Sequence, residues 1–158
     1  ALMENLTDAI WVYYGWGGIN AQLAGLDFDY FYFKDIDPVF DYYTPIIIAN
    51  NEFLSEHPDT AKAFLNAVAR GYEYAIENPE EAAHILIDSD TTGSLSGSED
   101  LIVQSQIWMA DQYKAEVEQW GYIDPARWNA FYNWLNDNGL VEQSIPENTG
   151  FSNEYLPA

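Results

Sequence analysis

Tyr13, Tyr14 and Trp16 stand among Gly15, Gly17 and Gly18 in the stretch TDAIWVYYGWGG, residues 7–18. Rings interleaved with glycine let the backbone come close to a flat object while the aromatic faces lie against it. That object is either a planar ligand or another part of the protein, and the residues alone leave both readings open. A second cluster, Asp41-Tyr42-Tyr43-Thr44, sets a carboxylate beside two phenols just before Pro45 and Ile46-Ile47-Ile48. A lone carboxylate in such company suits hydrogen bonding to a ligand better than paired acid–base catalysis.

Other chemistry finds little support. His57 and His84 are the only histidines and lack HxxxH or HExxH spacing, so a histidine metal site is not expected. Absence of cysteine removes disulfides, thiolate catalysis and cysteine-held metals. Asp88 to Ser94, DSDTTGS, has the flavour of a calcium loop but lacks the twelfth-position glutamate and the proper glycine. Phosphate-binding glycine loops and nucleophile elbows are missing as well. These residues point to a binding protein without catalytic residues, metal or cofactor.

Five Lys and Arg against 26 Asp and Glu give a formal charge of −21. Such a field repels phosphate backbones and anionic membrane surfaces, so nucleic acid is excluded as a partner and cationic or neutral ligands are favoured. An acidic surface also keeps exported or salt-exposed proteins soluble. The 158 residues suffice for one ordinary domain, and no run approaches the roughly 20 apolar residues of a membrane span. The opening Ala1 to Asn5 leads straight into a β-like run, as though from the middle of a longer chain.

The elements that must hold these clusters read as α/β at first. Ala9–Val12, Phe28–Phe33 and Ile46–Asn50 are expected as strands, with a helix over Ile19–Leu26 between the first two. Beyond residue 50 the pattern is helical. Asn51–His57 forms a short turn, and Ala61, Phe64, Leu65, Val68, Tyr72, Ala75 and Ile76 make an apolar stripe. Asn78-Pro79 caps a helix through Ile87, Asp88–Ser98 is a loop, and Ser96 with Glu99 suggests a capping box for a helix over Ser98–Ala115. Asp124-Pro125 opens the last helix, which carries Trp128, Phe131, Tyr132 and Leu135 on one face and stops at Gly139. The tail from Leu140 to Ala158 reads as ordered and packed.

In this order, DYYTP-III-ANN, the HPDTAKAFLNA…NPEEAA helix pair and the FSNEYL ending resemble the C-terminal half of ABC-transporter solute-binding proteins of the thiamine-pyrimidine-precursor and aliphatic-sulfonate group. The resemblance covers essentially the whole chain, and the helix pair and ending look especially like the thiamine-precursor branch. It implies an α/β, two-lobed periplasmic-binding-protein fold of type II. Residues 1–40 would end the second lobe, 41–50 would be the hinge crossover strand, and 51–158 would complete the first lobe with closing helices and tail. It also implies a small aromatic ligand held between lobes, with Tyr13, Tyr14 and Trp16 stacking and Asp41, Tyr42 and Tyr43 around it. Glycine stands at Gly17 and Gly18, where that branch commonly carries a carboxylate, which leaves the ligand's identity open.

An ABC permease is the implied partner and the location extracytoplasmic, with any export signal or lipid anchor in a preceding part. An isolated half would be prone to self-association through exposed apolar surface. An aliphatic-sulfonate binder is the alternative within the family. Outside that function, the alternatives are a thiamine pyrimidine-synthesis enzyme, whose known member is cysteine-rich at its active site, and an aromatic carbohydrate-binding module.

Overall fold

Helix starts in this chain are fixed by short polar side chains and by prolines at the first helical position. The computed structural model describes Glu4 and residues 6–157. Ala1–Met3 and Asn5 of the opening stretch, and Ala158 of the tail, lie outside the described residues. Asn50 opens α3 (Asn51–Glu56) by accepting from the backbone N–H of Glu52 at 2.7 Å. Pro58 begins α4 (Pro58–Glu77), Pro79 begins α5 (Pro79–Ser89), and Pro125 begins α7 (Pro125–Asp137). Asp124 caps α7 by accepting from the Arg127 N–H at 2.9 Å.

Other boundaries depart from expectation. Asn78 donates backward from its side-chain amide to the Tyr74 carbonyl and does not cap α5. No side-chain cap opens α6 (Glu99–Ala110), so the capping box of Ser96 and Glu99 is not formed. That helix also stops short of Ala115, which takes a left-handed φ of +46°. On α4 the expected stripe is only partly buried: Ala61 is covered while Phe64 is 56% exposed, and Ala69, outside the stripe, is buried.

The expected strands are the larger correction. No strand forms among the described residues, and 9–12, 28–32 and 46–50 carry neither helix nor ladder. Phe33 instead starts α2 (Phe33–Ile36), followed by a 3₁₀ turn at Pro38–Phe40. β-Branched and aromatic runs show readiness to pair, but a strand exists only when a second segment supplies its hydrogen bonds. Ile46, Ile47 and Ile48 accordingly remain 47%, 52% and 84% exposed. The α/β class is therefore not seen in this chain's described residues, whereas the helix-rich half beyond residue 50 is.

The chain divides into two compact units. One joins residues 1–29 to 70–120. Here α5 packs on α6, burying Ala83, Leu101 and Ile102, and α6 also receives Ile19 from α1 (Ile19–Leu23). Tyr72 stacks on Trp120 with centroids 4.4 Å apart and meets the edge of Tyr113 at 4.8 Å. Burial pushes the Tyr113 hydroxyl's pKa upward, Tyr72 adds to the rise, and its hydrogen bond to Gln106 opposes it.

The other unit joins residues 30–69 to 121–158. Its organiser is α7, against which the tail is stitched by asparagines at helical spacing. Asn129 bonds both the side chain and the N–H of Asn148, Asn133 reaches Glu147, and Asn136 exchanges two bonds with the Ile145 backbone, each at 2.9 Å. Trp128, 6% exposed, donates its indole N–H to the Thr149 carbonyl and packs on Phe151. The expectation of an ordered tail therefore holds, and these amides give its physical cause.

Candidate functional site

Within the first unit, the aromatic turn forms a π-helical turn, Tyr14–Gly18, that runs directly into α1. Its glycines serve close packing. A Cβ on Gly15 would lie 2.7 Å from the Met109 sulfur and 2.9 Å from the Trp108 ring, and one on Gly18 would lie 2.6 Å from the Tyr14 ring. Ser105 of α6 donates its hydroxyl to the Gly15 carbonyl, pinning the turn to that helix. Tyr14 is drawn inward and lies 5.2 Å from the Trp108 ring. The packing reading of this stretch is thus realised by Tyr14 and the glycines.

Tyr13 and Trp16 face outward, 65% and 50% exposed. Trp11, 64% exposed, lies 5.7 Å from Tyr13 and enlarges the aromatic surface. Sequence reasoning counted Trp11 only as part of a strand. Its place in an apolar run hid it, although a Trp two residues before Tyr13 on an extended segment shares Tyr13's side by simple alternation.

Asp41, Tyr42 and Tyr43 belong to the second unit, where α7 holds each of them. Arg127 Nη2 meets Asp41 Oδ1 at 2.7 Å, Arg127 Nε donates to the Asp41 carbonyl, and the guanidinium lies 4.5 Å from the Tyr43 ring centroid. The Tyr43 hydroxyl accepts from the Asp124 N–H at 2.8 Å. Tyr42 stacks on Phe131 with centroids 4.4 Å apart, and Phe40 meets Trp134 edge-on at 5.1 Å. Arg127 was the residue missed. Being one of only five basic side chains in so acidic a protein was the available signal.

Asp41 and Arg127 also line an open concavity of about 560 Å³ with Lys34, Asp35, Pro38, Val39 and Ala130. This volume falls in the roughly 300–1,000 Å³ range of small-molecule sites. The loop resembling a calcium site uses its carboxylate internally. Asp90 accepts from the Thr92 hydroxyl at 2.7 Å and from the N–H groups of Thr92, Gly93 and Leu95. Those donors, led by the Thr92 side chain, lower its pKa to about 2. Among the described residues, no cluster of three or more His, Asp or Glu is arranged to hold a metal ion.

Comparison with known proteins places the chain in a family. A formylaminopyrimidine-binding protein of Halalkalibacterium halodurans is 25% identical over 125 residues, covering 78% of this chain and 38% of that protein. A riboflavin-binding protein of Chloroflexus aurantiacus is 23% identical over 70% of the chain and 32% of its own length. A 4-amino-5-hydroxymethyl-2-methylpyrimidine phosphate synthase of Candida albicans is 26% identical over 72% of the chain and 30% of its own length. The chain thus spans about a third of the length of the curated relatives it matches. The model of the family described as NMT1/THI5 like matches residues 1–82, about half of the chain. With that match, this chain belongs to the NMT1/THI5-like family.

Proposed function

We propose that this chain is part of an extracytoplasmic solute-binding component of an ABC importer, carrying a small aromatic nutrient such as a thiamine pyrimidine precursor. The observation that carries this reading is the outward aromatic face of Tyr13 and Trp16, extended by Trp11, on a turn anchored through Gly15. Large rings held rigidly but left exposed offer flat surfaces to a heterocycle at low entropic cost. Two relatives named for binding a formylaminopyrimidine and riboflavin support a planar heteroaromatic ligand. The −21 charge favours a neutral or cationic solute over an anionic one.

Function is binding and release to a permease, without chemical turnover. In the whole protein, two lobes close over the ligand. The test is isothermal titration with 4-amino-5-hydroxymethyl-2-methylpyrimidine, riboflavin and a short alkanesulfonate, on the unchanged protein and on Trp16→Ala. Stacking on an aromatic side chain is worth about 1–3 kcal/mol per heterocycle, so Trp16→Ala weakens pyrimidine binding about 5- to 150-fold. Melting temperature stays close to that of the unchanged protein, because Trp16 is half exposed. Binding of the sulfonate alone would sink the aromatic ligand, and unaltered pyrimidine affinity in Trp16→Ala would sink the stacking role.

A further inference from the structure

We propose that the concavity bounded by Lys34, Asp35 and the Arg127–Asp41 pair binds a small zwitterionic solute, one carrying an ammonium and a carboxylate on a short aliphatic body. Every residue that lines it belongs to the unit of residues 30–69 and 121–158, and none belongs to the aromatic face of the other unit. The lining holds two positive and two negative side chains, in a protein whose formal charge is −21. Arg127 and Asp41 already neutralise each other at 2.7 Å. The Lys34 ammonium and the Asp35 carboxylate make no ion pair or side-chain hydrogen bond among the described residues, and the ammonium lies 5.8 Å from the Tyr32 ring centroid. Neighbouring residues on α2 diverge by about 100° around the helix axis, so Lys34 and Asp35 do not face one another although both reach the same space.

Two opposite charges held apart are complementary to a solute that carries the same two charges in reverse. A net anion would meet Lys34 but also the repulsive field of the whole protein, and a simple cation would cover Lys34 without giving it a partner. A zwitterion brings no net charge into that field and pairs with both groups at once. Pro38, Val39 and Ala130 supply an apolar wall for its aliphatic part, and about 560 Å³ suits one small molecule.

The test is a proton–nitrogen NMR titration with three probes of one shape: L-leucine, L-leucinamide, which lacks the carboxylate, and 4-methylpentanoate, which lacks the ammonium. It is run at about pH 6, where each probe carries its full charge, and at about 0.15 M salt, which damps the diffuse attraction of cations to an acidic surface. Leucine is expected to bind about three- to tenfold more tightly than either analogue, between the worth of an exposed ion pair and that of a charged hydrogen bond. Its binding should shift the amide signals of Lys34, Asp35 and Ala130. Lys34→Met should remove the preference over leucinamide and keep that over 4-methylpentanoate, and Asp35→Asn should do the reverse. Both side chains are exposed, so neither change threatens folding. Leucinamide binding as tightly as leucine would mean that the acidic field gathers cations, and 4-methylpentanoate binding as tightly would mean an anion site at Lys34; either result overturns the zwitterion site. No binding of leucine at tens of millimolar, or variants that leave both preferences in place, overturns it as well.

Discussion

Gly15→Ala and Gly71→Ala make the same chemical change and should move stability in opposite directions. Gly71 lies inside α4 with nothing within 4 Å of an added Cβ. There alanine removes the glycine penalty in a helix interior and stabilises by about 0.5–1 kcal/mol. At Gly15 the new methyl would sit 2.7 Å from the Met109 sulfur and 2.9 and 3.1 Å from two Trp108 ring carbons. Methionine can swing aside, but the indole is also engaged by the Tyr14 ring at 5.2 Å and is not free to retreat. Overpacking of this kind costs about 1–3 kcal/mol. Subtracting a similar helical gain leaves Gly15→Ala destabilised by about 0.5–2 kcal/mol.

Urea unfolding followed by tryptophan fluorescence gives both values, provided the slope is unchanged between variants. Adding Trp108→Leu to Gly15→Ala makes room for the methyl and should recover part of the loss relative to Trp108→Leu alone, a coupling that a double-mutant cycle isolates. A Gly15→Ala protein as stable as Gly71→Ala would refute the close docking of the turn on α6. The aromatic face would then have no rigid support, and the reading of exposed rings as a preset platform would fall with it.

Two further outcomes follow from the tail and the polar loop. Asn136→Ala removes both bonds to the Ile145 backbone and should cost about 1–3 kcal/mol, with faster proteolysis of residues beyond 140 as the local readout; unaltered proteolysis would mean that Asn129, Asn133 and Trp128 hold the tail without Asn136. Asp90, with its pKa lowered to about 2, should still be ionised at pH 3 by carboxylate NMR titration. Its stabilising contribution is fully present above the ordinary aspartate value near 4 and is lost as pH falls through about 2. An Asp90 midpoint near 4 would rule out the loop's hydrogen bonds in solution.

How much was legible in the sequence depended on the range of the interaction involved. Proline signals set the starts of α5 and α7, with the Asp124 cap at the second, because their physics is confined to one helical turn. Composition alone supplied the charge of −21 and the absence of cysteine, and these narrow the partners and the chemistry. The resemblance to solute-binding proteins rested on contiguous stretches, and the family match agrees with it. Residues 9–12, 28–32 and 46–50 failed as strands because pairing requires a second segment, which a residue's own propensity does not provide.

The six residues singled out divided according to what folding placed beside them. Tyr13 and Trp16 stayed outward, while Tyr14 turned onto Trp108 because α6 lies under the turn. Asp41 acquired Arg127, 86 positions along the chain, and Tyr42 acquired Phe131. Residue type determines that a carboxylate seeks a cation and that a ring seeks another ring. Which cation and which ring are found depends on chain segments far apart in sequence, and that choice is made only when the tertiary structure closes the distance.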